Sequence, residues 1–361
     1  MPNLPGASVE ADRAMFGRML NDPLLQADQW KIYPCEIVPW TVIKRWHENG
    51  TYVPYDEESL TEVLAHTKRQ VHPWIRLNRV VRDIPSQYVL GGVDAPNLRQ
   101  DVLQRMKARG ERCRCIRCRE VGDDATAAAR AKLVERTYVA SGGTEYFFSY
   151  EAGEMETLLG FVRLRLPPAN QRFVSLPTPN TPEADAAAEA AGCGGEGGKG
   201  SGGRLKKLRP SDGVANGGEG DADDATALAI PFPELHGAAL IRELHVYGQL
   251  VPTSQAKKSV HAQHVGFGRQ LMAAAEDKAA LAGYSRVAVI AGIGTRNYYR
   301  KLGYELEGVG GFMIKTMPWT HPKRLERSAR RALLVVLIAA IVGMLFSAVV
   351  THTAPAPAPP P

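Results

Sequence analysis

Cysteine is scarce in this chain. Five thiols among 361 residues are too few for a disulfide scaffold. Three of them crowd into the stretch CRCIRC, Cys113 to Cys118, which points to a metal instead. Also missing is an apolar opening: MPNLPGASVEADRAMFGRML has no hydrophobic core of the length a secretory signal needs. Aromatics make up 7% of the chain and almost vanish between Pro167 and Ala227, where Gly, Ala, Pro and Asp dominate. Such a composition cannot bury enough surface to offset its ordering entropy, so residues 167–227 are expected to be a disordered insertion in a surface loop. A strong excess of one charge is lacking too, at a formal net charge of +6. The arginines nevertheless gather in WIRLNRVVRDIP, QRMKARGERCRCIRCRE and HPKRLERSARR, clusters that suit a polyanion, an anionic membrane surface or simply solvent.

What the chain does have is one long apolar run, ALLVVLIAAIVGMLFSAVV, Ala332 to Val350. As a helix it is long enough for a bilayer core of about 30 Å. Lys323, Arg324, Arg327, Arg330 and Arg331 precede it, and a Pro-rich tail, residues 351–361, follows. The positive-inside rule then predicts a tail anchor with the body facing the cytosol, in the mitochondrial outer membrane or the endoplasmic reticulum. Residues 317–331 form the basic juxtamembrane segment of that reading, and residues 332–350 its transmembrane helix.

Upstream, helix and strand patterns mix. ESLTEVLAHTKRQV predicts an amphipathic helix capped by Ser59 with Glu62. WIRLNRVVRDIP predicts a strand ending at Pro85, and NLRQDVLQRMKARG a helix closed by Gly110. RTYVASGGTEYFFSYE and TLLGFVRLRLP predict an antiparallel pair. Beyond the insertion come a strand in AALIRELHVYGQLVP, a glycine loop with its helix, and a strand in SRVAVIAG. A helix in TRNYYRKLG and a last strand in YELEGVGGFMIKTM complete a mixed sheet.

The glycine loop carries the functional signal. In QHVGFGRQLMAAAE a helix opens directly after Gly266 and Gly268. Unpaired N–H groups and the helix dipole at such a start suit a diphosphate, and the missing side chains let it approach. The same pattern also marks ordinary turns. A third glycine with a later acid, as in a Rossmann site, and the Gly-Lys-Ser/Thr of a P-loop are both lacking. The segment from Gln263 to Gly268 instead resembles the Q/R-x-x-G-x-G/A motif of GNAT acetyltransferases, which cradles acetyl-CoA. IRELHVYG holds the place of that fold's splayed strand, and GTRNYYRKLGY of its tyrosine segment. With VRDIPSQYVLGGV, NLRQDVLQRM and RCREVG upstream, these motifs are similar, in order, to the catalytic subunit family of the Elongator complex. The resemblance runs from Met1 to about Lys315, outside the insertion.

That resemblance implies an α/β protein. The C-terminal part of a radical SAM partial TIM-type barrel with a zinc-bearing linker, residues 1–120, is followed by a GNAT-type mixed sheet, residues 121–316. It implies an enzyme that uses acetyl-CoA to modify the wobble uridine of tRNA, with other Elongator subunits as partners. Glu243, Leu244, His245 and Val246 would line acetyl-CoA, and Gly266, Phe267, Gly268 and Arg269 would take its pyrophosphate. Tyr298 or Tyr299 would assist at the thioester. The family also implies a 4Fe–4S cluster and S-adenosylmethionine. Their cysteine ligands are absent, since only Cys35 precedes Cys113, and radical chemistry is not expected of the sequence as it stands. It reads as part of a longer product or as a paralogue that kept the coenzyme A half. Cys113, Cys115 and Cys118, spaced C-x-C-x-x-C, suit structural zinc, with His245 a candidate fourth ligand and unliganded thiols the alternative. Arg112, Arg114, Arg117, Arg119, Arg76, Arg79 and Arg82 would face tRNA phosphates. Two other functions suit the same fold: a protein lysine acetyltransferase with Glu243 as base, and a membrane-anchored scaffold without catalysis.

Overall fold

The computed structural model describes residues 1–167, 232–247 and 266–353, apart from 82, 83, 96, 123, 125, 309 and 319. In its last helix, side chains are described as far as 342, except 339. The expected insertion therefore lies outside the described residues, Pro167 excepted.

The first module is built from helices around a short parallel pair. Helix α1, Val9–Asn21, starts where the Ser8 side chain accepts from the Ala11 N–H. Helix α2 spans Val42–Glu48. Helix α3, Glu57–Gln70, is capped by Asp56, whose carboxylate accepts from Ser59 N at 2.8 Å. The cap thus lies three residues before the expected Ser59, because a carboxylate there satisfies the first-turn donors and the helix dipole together. Strands β1, Gln29–Lys31, and β2, Arg76–Arg79, pair in parallel. The expected strand stops at Arg79 rather than Pro85, since its partner ends at Lys31. Helix α4, Leu98–Ala108, closes as expected at Gly110, which has φ +71°. Glu111 N bonds to Met106 O and Gly110 N to Lys107 O, the paired bonds of a Schellman turn. Leu60, Leu64, Ile75, Leu77 and Val102 are buried at its centre.

Two short helices, α5 (Ile116–Arg119) and α6 (Ala127–Arg130), lead into a seven-stranded sheet. Its members are β3 (Ala131–Ala140), β4 (Gly143–Ala152), β5 (Thr157–Leu166), β6 (Ala238–Val246), β7 (Arg286–Ile290), β8 (Glu305–Glu307) and β9 (Phe312–Thr316). They lie in the order β3-β4-β5-β6-β7-β9-β8. Among the described strands of this sheet only β6 and β7 pair in parallel, joined through α7, Phe267–Ala282; α8, Arg296–Arg300, follows β7. The mixed sheet is thus observed, with two more strands than expected. Ser141 (φ +45°) and Gly142 (φ +74°) turn the first expected strand into the β3–β4 hairpin, since two consecutive positive φ angles make the tight turn that matches strand twist. YELEGVGGFMIKTM likewise folds back on itself as β8 and β9.

One face of the sheet is apolar. Leu271, Met272, Ala275 and Ala279 of α7 pack there against Val162, Leu164, Ile241 and Val287. The other face meets the first module through ionic and aromatic contacts. Trp74 stacks on Tyr138 at 4.5 Å, and Arg119 pairs with Glu151 at 2.8 Å, both side chains under 5% exposed.

The C-terminal expectation needs correction. Helix α9, Pro322–Thr353, forms, yet among the described residues no helix is long and apolar enough to cross a membrane. Its first turns carry Lys323, Arg324, Arg327, Arg330 and Arg331. The tail anchor, and the mitochondrial or reticular membrane location built on it, are therefore not supported.

The buried pair gives a test. Burial alone would raise the Glu151 carboxyl, but the Arg136 hydrogen bond, with Arg119 and Ser149, outweighs it and holds Glu151 near about 2, below its ordinary 4.5. A depressed carboxyl contributes stability that is full above about pH 4.5 and is lost as the pH falls towards about 2. Glu151→Gln should cost on the order of 3 kcal/mol at neutral pH and flatten that acid limb in denaturant titrations.

Candidate functional site

Three elements converge where β6 leaves the sheet. Strand β6 pairs with β7 only from Ala238 to Ile241, while its pairing with β5 continues to Val246. From Arg242 onward no strand among the described residues pairs on the side towards β7, the geometry in which an extended ligand arm can add its own backbone hydrogen bonds. Val246 ends the strand beside the start of α7. A Cβ at Gly268 would lie 3.6 Å from Val246 Cγ2 and 2.8 Å from the Tyr298 hydroxyl. Gly266, the residue before α7, has φ +111°, a left-handed conformation that favours glycine. The glycines thus do two things: Gly266 bends the chain into the helix, and Gly268 leaves room for a tyrosine ring. Phe267 packs on Tyr150 with tilted rings 4.5 Å apart, and Arg269 is exposed. Gln263, His264 and Val265 lie outside the described residues.

Two adjacent tyrosines have different fates. Tyr299 is core, 7% exposed and set edge-on to Tyr304. Tyr298 turns towards Gly268, and its buried hydroxyl has no hydrogen-bond partner among the described residues. Burial, with neighbouring Tyr299, pushes its hydroxyl up to about 12, so it holds its proton at neutral pH.

The strand residues split between the two faces. Leu244 and Val246 pack on the α7 side. Glu243 turns the other way to meet Arg163 Nε at 2.9 Å. His245 sits by Tyr247 and Phe161, ring centroids 4.4 and 6.0 Å away, and burial followed by the charge of Arg76 lowers its pKa.

The cysteine trio assembles. The sulfurs of Cys113, Cys115 and Cys118 all lie within 4.8 Å of one another. His245 is not in that group, so it does not supply the fourth ligand. Hydrogen bonds from Cys113 and Cys118 hold Cys115 below the usual thiol range. Arg99 Nη2 reaches Cys118 Sγ at 3.4 Å. Lys68, fully buried with no hydrogen-bond partner for its ammonium among the described residues, contributes a positive charge to all three thiols. Sequence reasoning passed over Lys68; its signal was a charge on the same helix stripe as Leu60 and Leu64.

Most of the arginine cluster serves the fold. Arg119 is buried among Arg114 O, Pro73 O and Glu151. Arg114 holds Glu156 with two hydrogen bonds, and Arg76 pairs with Glu120 and Tyr247. Arg112 and Arg117 are exposed yet also bond within the fold, to Glu154 O and Asn78 O; Arg79 is exposed, and Arg82 lies outside the described residues.

Residues 27–108 match the Radical_SAM C-terminal domain, which places the first module in the radical SAM class. A tRNA uridine(34) acetyltransferase of Methanocaldococcus infernus is 34% identical over 324 residues, 88% of this chain and 49% of its own length. That of Dehalococcoides mccartyi is 35% identical over 87% of this chain and 56% of its own. Elongator complex protein 3 of Homo sapiens is 34% identical over 88% and 48%. The solved structure of the archaeal Methanocaldococcus infernus Elp3 with an N-terminus deletion superposes with a TM-score of 0.62 at 32% identity, covering 88% of this chain and 62% of that one. Over 88% of its length the chain is thus similar to the Elongator complex protein 3 family, and it spans about half the length of these curated relatives.

The Gly268–Tyr298 contact is testable without ligand. Gly268→Ala should destabilise by about 1–3 kcal/mol through overpacking. Combining it with Tyr298→Phe, which removes the clashing oxygen, should recover part of that loss in thermal melts.

Proposed function

We propose that this chain is the acetyl-CoA-binding part of a tRNA uridine(34)-modifying enzyme of Elongator type. One observation carries the reading: the open side of β6, the α7 start at Gly266–Gly268 and the unpartnered Tyr298 hydroxyl meet at one place. There the pantetheine arm would pair with the backbone of residues 243–246. The diphosphate would lie on the amides of Phe267, Gly268 and Arg269. Tyr298, protonated at neutral pH, is the group to donate to the departing thiolate. Tyr299 supports it from the core. Residues 1–120 would form the radical-SAM-derived module and linker, and residues 121–316 the acetyltransferase unit. Homologues named as Elongator subunits support tRNA and further Elongator subunits as partners.

The cysteine trio suits zinc: three close sulfurs, one already thiolate-prone, beside a buried ammonium that offsets the anionic charge of three thiolates. It does not suit the 4Fe–4S cluster that the radical SAM class implies. It lies at the linker, and Cys35, the one cysteine before it, is buried with its thiol pushed up by burial. The lysine acetyltransferase alternative loses its base, because the Glu243 carboxylate is committed to buried Arg163.

Calorimetry on the full chain should show acetyl-CoA uptake, and tRNA affinity should fall steeply with salt. Tyr298→Phe should leave acetyl-CoA binding intact but slow tRNA-stimulated release of coenzyme A by about 10²-fold or more. Absence of acetyl-CoA uptake would overturn the reading. Zinc analysis should return metal in the wild type and its loss in Cys115→Ser, with unfolding at lower temperature.

A further inference from the structure

We propose that Asp28, in the first module, is a positioning residue for the acyl-donor strand of the second, because it clamps the bulge at which β6 turns away from β7. The proposal rests on the coenzyme A reading above.

The register fixes where the bulge lies. Arg163 of β5 pairs with Glu243, but the next residue, Leu164, pairs with Ile241. Arg242 is therefore an extra residue on β6, and extra residues bend a strand and re-aim its side chains. Before the bulge Ile241 packs on the α7 side, and after it Leu244 and Val246 do. The last β6–β7 pair is Ile241 with Val289, so the two strands part at the bulge itself.

What holds the bulge is a charge from far away in the chain. The Arg242 guanidinium forks onto both carboxylate oxygens of Asp28, with Nη2 to Oδ1 at 2.9 Å, and onto Glu145 Oε2 at 2.9 and 3.1 Å. Asp28 also meets Arg163 at 3.1 Å, and Arg163 in turn holds Glu243. Arg163 is 1% exposed, so its charge has no recourse to water. The backbone keeps Asp28 in place, its carbonyl accepting from Arg76 N at the start of β2. One carboxylate thus ties down the bulge residue directly and its neighbour Glu243 through Arg163. Without that charge two guanidiniums share fewer anions. A strand that slips to heal its bulge exchanges the faces of every residue beyond it. Glu243, Leu244, His245 and Val246 would then present the wrong edge to a ligand.

The isosteric Asp28→Asn keeps the shape and removes the charge. In the full chain it should weaken acetyl-CoA binding by calorimetry about tenfold or more, which is about 1.4 kcal/mol. Amide exchange at residues 242–246 should quicken while the middle of α7 keeps its protection. Arg242→Lys retains the charge but not the fork and should show the same pattern more weakly. Equal acetyl-CoA binding and equal exchange in wild type and Asp28→Asn would overturn the proposal and leave the coenzyme reading standing. Loss of protection throughout α7 in Asp28→Asn, with wild-type binding by Arg242→Lys, would also overturn it, showing a general structural role. A wild-type chain that takes up no acetyl-CoA would overturn the coenzyme reading and this proposal with it.

Discussion

Arg163 lies with its guanidinium beside the stacked pair of Phe147 and Phe161, 5.3 Å from each ring centroid, and reaches Asp28 and Glu243 for charge. A cation sealed from water this completely is strongly destabilising unless paired. Glu243 comes from the neighbouring strand, but Asp28 comes from the other module. The sheet therefore supplies only one of the two carboxylates around this interior charge, and docking of the first module supplies the other. Arg119 and Glu151 repeat the arrangement in the opposite sense, a linker arginine sealed against a strand carboxylate. Two ionic locks of this kind fix orientation more sharply than an apolar interface would, since a shift of an ångström or two leaves a buried charge unpaired.

The two faces of the sheet consequently carry different chemistry. Towards α7 the contacts are small and apolar, with Ala275, Ala279 and Ala280 letting the helix lie close. Towards the first module they are charged and aromatic. Strand β6 belongs to both, and the bulge at Arg242 is where it serves each: Arg242 and Glu243 turn to the ionic face, and Leu244 and Val246 return to the apolar one. A strand without that extra residue could stay flush with β7. The opening beside α7 is thus a consequence of how the modules dock as well as of the sheet's own twist.

What the sequence revealed follows the range of the interactions. The glycine loop, the helix after it and the Cys113–Cys118 trio are local, and turn chemistry or spacing exposes each. Gly110 was legible as a helix end for the same reason. The Ser141–Gly142 hairpin is local too, yet alternation continues across it, so two strands read as one. The ionic locks were not legible at all: Asp28 and Arg242 stand 214 residues apart, and nothing near either residue names the other. The same gap explains the arginine clusters, which composition assigns to a polyanion although Arg119 and Arg114 are engaged within the fold. The apolar run Ala332–Val350 shows the converse error, where hydropathy alone suggested a span.

Tyr298 and Tyr299 show how far sequence and structure each reach. As neighbours they carry the same functional group, and no pattern in the chain separates them. Packing does, because α8 turns successive side chains about 100° apart: Tyr299 enters the core against Tyr304, and Tyr298 faces the glycine loop. Tyr304 satisfies its own buried hydroxyl on Glu276 at 2.8 Å, the usual requirement for a polar group removed from water. Among the described residues Tyr298 departs from that requirement, at the place where Gly268 makes room for its ring. A buried donor left open costs about 1–3 kcal/mol, which a thiolate forming beside it as the thioester breaks would recover. The unsatisfied hydroxyl is therefore better understood as half of a contact than as a defect in packing.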